Sequence, residues 1–462
     1  MPTLSDARTV LLRHFGFPDF RPAQRDVVRS VLSGRDTLAV LPTGAGKSAC
    51  FQVPALLLDG ITVVVSPLIS LMSDQVAACR RRGIAAAALT SATSPVERLI
   101  AMEALRNRSI RLLYLSPERL GATAASLRQQ VGVPALLAVD EAHCISEWGP
   151  DFRPSYRRLG AVRRQLGMPP VVALTGSATP EVRRDITRQL AFRTGSAANE
   201  LIASFDRPNL HFNVRIVTSE AERFKTMLGE LDRSSPLAIV YTPTRSVTEA
   251  LTRALRHAGY DAVPYHAGLT SEYRLRALER FTSSRLQVVV ATCAFGMGID
   301  APNVRLVVHW AMPPTLESYY QEAGRAGRDG TPARCVLLYR KGDGARQREQ
   351  LDATFPPPGA VERLWRDPGA AARAPASLRE SAERLRREVL LESGRTDWAP
   401  VHRRRRRAEG RIGSVEKYAT TRECRRRVLL GYFGERTSTC AGCDRCSASS
   451  PEPRVPGVSG AG

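Results

Sequence analysis

The sequence predicts an α/β protein: two consecutive domains, each a parallel sheet flanked by helices, followed by a small helical module rich in cysteine. Three observations predict it. Short, continuously apolar segments alternate with helix-compatible ones up to about residue 342. A polar break containing a proline, "ASFDRPNLHF" (203–212), splits that series in two. Four of the nine cysteines crowd into residues 424–446.

The apolar segments are strands in order. The first series is 37–41, 61–66, 111–115, 135–140 and 171–175; the second is 237–241, 287–292, 304–310 and 335–339. Runs as uniformly apolar as "ITVVVS" and "QVVVAT" are buried on both faces, as strands of a parallel sheet are. The expected domains are 1–205 and 206–342, an Arg/Pro-rich connector 343–414, a cysteine module 415–447, and a tail 448–462 without apolar periodicity. In the connector, "PPPGA", "RDPGAAARAPAS" and "HRRRRRAEGR" read as breakers and charge with helical pieces between them, such as 377–391.

Composition narrows the classes. Hydrophobic content of 43% and charged content of 24% suit a globular protein. No run approaches 18 apolar residues, and the N-terminus lacks a basic region followed by an apolar one, so a cytoplasmic setting is expected. The net charge of +22 suits a polyanionic partner. Many arginines are scattered rather than clustered, so part of this excess reflects composition alone.

"LPTGAGKS" (41–48) follows an apolar strand and precedes the helix-compatible "ACFQVPALLL". That is the context of a P-loop, although Leu41 stands where the strict pattern has Gly. Thr43, Gly44 and Gly46 belong to the turn whose N–H groups cradle phosphates. Lys47 would reach the β- and γ-phosphates of ATP, and Ser48 would bind Mg²⁺. Asp140 and Glu141 end a strand of the same domain; Asp140 would hold Mg²⁺ and Glu141 would orient the attacking water. In "QEAGRAGRDG" (321–330), Arg325 and Arg328 are spaced to share one helical face. An arginine finger of this kind is worth roughly 10³–10⁵ in turnover. Cys424, Cys440, Cys443 and Cys446 offer four soft ligands for a closed, structural Zn²⁺ site, with a redox role for "CAGC" as the alternative. The other five cysteines read as reduced or core thiols.

Taken in order, these segments resemble superfamily 2 helicases, and more closely the RecQ family of DNA helicases. The resemblance covers residue 15 to about 342 and returns at 423–446. It implies two tandem RecA-like domains with ATP between them, 3′→5′ movement on single-stranded DNA, and unwinding of tailed or branched duplexes in repair or recombination. "FGFPDFRPAQ" (15–24) resembles the adenine-recognition motif, with Gln24 on the adenine edge, Arg21 assisting, and Phe17 stacking where the family often has Tyr. "VVVSPLISLMSDQV" (63–76) and "ALTGSATP" (173–180) match segments that contact DNA and couple the domains. "ATCAFGMGIDAPNVR" (291–305) places Asp300 near the nucleotide, and Gln321 joins Arg325 and Arg328. "DEAHCISEWGPDFRP" (140–154) resembles the aromatic-rich loop, in which Trp148, Phe152 and Arg153 sense DNA beside the hydrolytic carboxylates. Pro150 stands where the family often has His. The resemblance also implies a short form without winged-helix and helicase-and-RNase-D C-terminal (HRDC) domains, acting as a monomer, with single-stranded-DNA-binding or recombination proteins as partners. The alternative within this chemistry is a DNA-stimulated ATPase that translocates or remodels branches with little unwinding. An RNA helicase and a DNA-binding module with a dead nucleotide site are the other rivals.

Overall fold

A computed structural model describes residues 2–42, 44–90, 93–146, 153–233, 237–296, 301–390 and 395–446. The chain forms two compact units. The first contains residues up to Arg207, with Gly296 and the late segment Leu430–Thr437. The second contains Pro208–Phe295, Ala301–Leu429 and the described residues from Ser438 onward.

The first unit is built on seven strands: β1 (Asp36–Val40), β2 (Thr62–Val65), β3 (Ala86–Leu89), β4 (Leu112–Leu115), β5 (Leu136–Val139), β6 (Val171–Thr175) and β7 (Ala198–Ile202). All pairings are parallel, in the order β3-β4-β2-β5-β6-β1-β7. The second unit has six: β8 (Leu210–Ile216), β9 (Ala238–Tyr241), β10 (Ala262–Tyr265), β11 (Val288–Ala291), β12 (Leu306–His309) and β13 (Ala333–Tyr339). Their order is β10-β11-β9-β12-β13-β8, again all parallel. Parallel neighbours need crossovers, and helices supply them. One cluster around Phe51, Val64, Met72, Tyr114 and Leu174 forms a core of the first unit. Another around Met227, Val240, Val290, Val308 and Val336 forms that of the second.

Every strand expected from the sequence lies in the interior of a sheet. The four that were not expected, β3, β7, β8 and β10, are the four edges. An edge strand needs no continuous apolar run. β3 reads "AAAL", a helix-like composition; β7 carries Asn199 and Glu200; β10 holds Pro264, which an edge tolerates. β8 alternates His211, Asn213 and Arg215 with apolar residues, so the expected break at 203–212 stops at Asn209.

In the first unit, β1 leads into the P-loop and β5 into Asp140 and Glu141, with β6 between them in the sheet. Both motifs therefore lie at the carboxyl ends of strands separated by a single strand, where ligands bind in open α/β sheets.

Residues 343–420 are more regular than their composition suggests. Helices span Asp343–Thr354, Pro358–Arg366, Pro368–Arg373, Ala376–Val389 and Ala399–Thr420. Pro358 and Pro368 start helices, because the first helical position needs no N–H. Asp367 caps the second of these, accepting from Gly369 N at 2.8 Å and Ala370 N at 3.1 Å. The arginine run lies inside the 22-residue helix Ala399–Thr420, since arginine is a strong helix former. Val361, Ala382, Leu385, Val389 and Val401 form a small core with Trp365 and Trp398, whose rings stack at 5.8 Å.

Candidate functional site

The P-loop leaves β1 at Leu41, and Gly44 and Gly46 take φ values of 82° and 72°, which favour glycine. Gly46 is required a second way: a Cβ there would lie 2.4 Å from Gln24 Nε2. The helix Ala49–Leu57 follows, with Ser48 at its N-cap. Lys47 Nζ donates to Leu41 O at 3.4 Å, and Ser48 Oγ accepts from Gln75 Nε2 at 3.2 Å. Thr43 lies outside the described residues.

Gln24 and Arg21, expected at an adenine edge, hold the P-loop itself. Gln24 Nε2 donates to Ala45 O at 2.8 Å and Gly46 O at 3.0 Å, and its Oε1 accepts from Arg21 N at 3.0 Å. The Arg21 guanidinium donates to Gly44 O. Phe17 is 60% exposed, a free ring face beside this motif.

Asp140 is buried at the end of β5, and its neighbour Glu141 adopts the left-handed region at φ 47°. That conformation costs roughly 1–2 kcal/mol in a non-glycine residue and turns the chain sharply into the 3₁₀ segment Ala142–Ile145. Burial and the Glu141 charge push the Asp140 carboxyl up to about 7, against Lys47, the Glu141 N–H and His143. A buried carboxylate that resists ionising alone is one that a bound divalent cation relieves, so Asp140 and the Ser48 hydroxyl fit Mg²⁺.

His143 was not singled out in the sequence. Its Nδ1 lies 3.3 Å from Glu141 Oε2 and 3.0 Å from Thr175 Oγ1. Thr175 in turn donates to Ser177 O at 3.1 Å, within the "ALTGSATP" segment. The only signal was its place two residues after Glu141. Arg153 is held at the other end of this loop: its Nη1 donates to Pro67 O at 3.0 Å, its backbone N to Cys144 O at 2.9 Å. Trp148 and Phe152 lie outside the described residues, as does Asp300.

In the second unit, the helix Leu316–Ala323 carries Gln321 but ends before the two arginines. Arg325 and Arg328 occupy turns after it, not one helical face as their spacing suggested. Two glycines break the helix: Gly324 caps it, and Gly327 takes φ 54°. A Cβ on Gly327 would fall 2.4 Å from Asn209 Nδ2, which clamps the turn through Gly327 O and Thr331 O at 2.8 and 2.9 Å. His309 pairs with Glu322 at 2.8 Å, and Arg305 with Asp329, so both sides of the turn are pinned. Arg325 is 8% exposed.

The cysteines converge. Sulfurs of Cys424, Cys440, Cys443 and Cys446 all lie within 4.8 Å of one another, and Cys443 and Cys424 are 3.9 Å apart. A tetrahedral Zn²⁺ with bonds of about 2.3 Å needs sulfurs about 3.8 Å apart, so this donor set fits zinc. Burial opposes a Cys443 thiolate, but backbone N–H groups of Arg445 and Arg425 and the neighbouring thiols outweigh it and lower its pKa. Burial pushes Cys440 up to about 11, so a metal is needed to draw off the remaining protons.

The segment between the ligands is also accounted for. Arg425, fully buried, pairs with Asp444 at 3.0 Å and donates to Tyr418 O. Arg426 donates to Leu210 O at 2.5 Å and lies over the Phe212 ring.

Three family models match the chain in order: DEAD/DEAH box helicase over 21–186, helicase conserved C-terminal domain over 221–330, and RecQ zinc-binding over 383–447. The ATP-dependent DNA helicase RecQ of Bacillus subtilis is 37% identical over 448 residues, covering 96% of this chain and 67% of that protein. The chain belongs to the RecQ family. The probable ATP-dependent DNA helicase RecS of B. subtilis is 39% identical, over 85% of this chain and 77% of the relative. The RecQ of Haemophilus influenzae is 36% identical over 95% of this chain; there the chain spans 63% of the relative's length. Among solved structures, a DUF1998 helicase, MrfA, bound to DNA has TM-score 0.60 at 18% identity, over 76% of this chain and 53% of that one. S. cerevisiae Dbp5 bound to RNA and ADP BeF3 has TM-score 0.58 at 16% identity, over 76% and 91%. These likenesses concern the fold. The four-cysteine cluster is thus the zinc site of a RecQ protein, and the parallel sheets are its RecA-like pair. No described helix is long and apolar enough to cross a membrane.

Proposed function

We propose that this RecQ-family chain is an ATP-dependent DNA helicase that couples hydrolysis to 3′→5′ translocation on single-stranded DNA and to duplex unwinding. The observation that carries this reading is the buried Asp140 beside a half-buried Glu141, tied to His143 and Thr175 and lying in the field of the P-loop Lys47.

Lys47 would bind the β- and γ-phosphates. Mg²⁺, held by Ser48 and Asp140, would neutralise charge on the same oxygens. Glu141, its backbone turned by the left-handed conformation and its carboxylate held at His143, would orient the attacking water. Arg325 and Arg328 would stabilise charge on the transferred phosphoryl group, with Gln321 beside them, and Asp300 would lie near the nucleotide. Thr43, Gly44 and Gly46 would shape the phosphate cradle. Phe17 would stack on the base, with Arg21 and Gln24 exchanging their P-loop contacts for it. Trp148, Phe152 and Arg153 would meet unpaired bases and phosphates; stacking is worth about 1–3 kcal/mol per base. The hydrogen bond from Arg153 to Pro67 supports a route from DNA into the first unit. Tailed or branched duplexes in repair or recombination, action as a monomer in the bacterial cytoplasm, and single-stranded-DNA-binding or recombination proteins as partners complete the proposal.

The test is strand separation of a 3′-tailed duplex with ATP, with a 5′-tailed duplex and the Lys47→Ala protein as controls. Unwinding of the 3′-tailed substrate alone, absent in the variant, is expected. DNA-stimulated hydrolysis without strand separation would replace this reading with a translocase, and stimulation by RNA alone would replace the substrate.

A further inference from the structure

Beneath the P-loop helix lies a polar cluster whose side chains have been given no role, although one of them, Gln75, falls within the 63–76 segment. Tyr114 on β4 is 1% exposed and Gln52 on the helix Ala49–Leu57 is 3% exposed. Gln75, half-buried on the helix Ile69–Arg81, joins them. The Tyr114 hydroxyl donates to Gln75 Oε1 at 3.1 Å, and Gln52 Nε2 donates to the same oxygen at 3.2 Å and to the Tyr114 hydroxyl at 3.0 Å. Two donors on Oε1 fix which way the Gln75 carboxamide faces. Its Nε2 is thereby committed to Ser48 Oγ, at 3.2 Å. Burial keeps Tyr114 neutral far above its ordinary range, so the hydroxyl remains a donor at all working pH values.

We propose that Gln75 is a positioning residue for Ser48, with Tyr114 and Gln52 fixing Gln75 in turn. A serine hydroxyl has two lone pairs and one proton. With Gln75 Nε2 on one lone pair, the other is left for a cation at a fixed direction. Without Gln75, the hydroxyl is free to rotate among its staggered positions, and the cation binds a less ordered ligand. The helix carrying Gln75 begins two residues after Pro67, whose carbonyl accepts from Arg153. One rigid element thus connects the loop ending at Arg153 with the metal-binding hydroxyl. A displacement at Pro67 is transmitted to Ser48 through Gln75, which makes this helix the lever by which DNA tunes Mg²⁺–nucleotide binding. This last step rests on the DNA-helicase reading above.

The test uses the full chain and a fluorescent ADP analogue, with Mg²⁺ and with EDTA, so that the gain in nucleotide affinity due to Mg²⁺ is read without turnover. Gln75→Met keeps side-chain bulk and removes the hydrogen bonds to Ser48, Tyr114 and Gln52, and Tyr114→Phe removes those to Gln75 and Gln52; thermal melting verifies that both fold. Each is expected to lower the Mg²⁺-dependent gain by about fivefold, the worth of one hydrogen bond, with affinity in EDTA unchanged. Ser48→Ala should abolish the gain, and adding Gln75→Met to it should change nothing more, because both act through one hydroxyl. Single-stranded oligonucleotide should alter the gain in the wild type and not in Gln75→Met. A wild-type gain in both Gln75→Met and Tyr114→Phe, an equal loss in EDTA, or additive effects with Ser48→Ala would overturn the positioning role. An oligonucleotide response preserved in Gln75→Met would overturn the lever. A wild type that does not bind the nucleotide would overturn the ATPase reading itself, a result distinct from either.

Discussion

Asp36 shows how one carboxylate fixes the strand that carries the P-loop. It is fully buried and accepts from Arg163 Nη2 at 2.6 Å, from Arg193 N at 2.8 Å and from Val171 N at 3.2 Å, tying the start of β1 to that of β6. Burial works against its charge, but the hydrogen bonds from Arg193 and Arg163 outweigh it and hold its pKa below the ordinary 3.8. The unfolded chain therefore binds this proton more readily than the folded one. The stabilisation is complete above about pH 4 and is lost as pH falls through the folded value. Asp36→Asn leaves the fully buried Arg163 without its counter-charge, and a loss of about 3–5 kcal/mol is expected in denaturant titrations at pH 7. The gap to wild type should narrow below pH 4; a gap that persists there would mean that packing, not charge, sets it. At this scale the sequence displayed residues joined by short spacing, such as Lys47 with Ser48 and Asp140 with Glu141. It concealed partners brought together by the fold: Gln75 is 27 residues from Ser48, and Tyr114 is 62 from Gln52. No local period relates such positions, so nothing in the pattern pairs them.

Among elements, the cysteine loop and β8 depend on each other. The loop runs along this edge strand: Phe212 N donates to Gly442 O at 3.4 Å, Asp444 N to Phe212 O at 3.1 Å, and Val214 N to Asp444 Oδ2 at 3.3 Å. Gly442 is needed for closeness, since a Cβ there would lie 2.5 Å from His211 Cδ2. An exposed edge is a template for unwanted pairing, and this loop covers it. Wild-type protein should carry one zinc per chain and Cys443→Ser little, by elemental analysis after gel filtration. Hydrogen exchange should then rise in β8 more than in β9, an interior strand. Equal zinc in both proteins would refute the ligand assignment; unchanged exchange in β8 would refute its dependence on the loop. The same edge explains why β8 escaped sequence reading. Its His211 packs against Gly442 and its Arg215 pairs with Glu230, both supplied by other elements, whereas Val288–Ala291 and Val63–Val65 proclaim their burial in every residue. Likewise Pro358 and Pro368 signal breaks when read singly and helix starts once the following turn is known.

On the scale of the whole chain, the first unit is completed from far away in sequence. Phe433 stacks on Phe205 with ring centroids 4.5 Å apart, and its carbonyl accepts from Arg183 Nη2 at 2.7 Å. Glu435 accepts from Ser204 Oγ at 2.6 Å and Phe205 N at 2.7 Å. Gly434, at φ 82°, passes so close to Pro180 that a Cβ would lie 2.7 Å from its ring. Phe433→Ala should cost about 3–5 kcal/mol of local stability, seen as faster hydrogen exchange around residues 204–206 and the helix Pro180–Gln189. Unchanged exchange there would show that the segment merely rests on the unit. "GYFGE" gave no hint of this destination, because a helix end and turn of aromatic, glycine and acid has no period of its own. Ser204 and Glu435 are separated by 231 residues, which has a bearing on synthesis. At about 5–20 residues per second, a ribosome presents the first unit with the Phe205 ring uncovered for roughly 10–50 s before its partner emerges. The nascent chain must wait out that interval with its first unit unsealed, which makes the interval the period of greatest exposure to chaperones, proteases and neighbouring nascent chains.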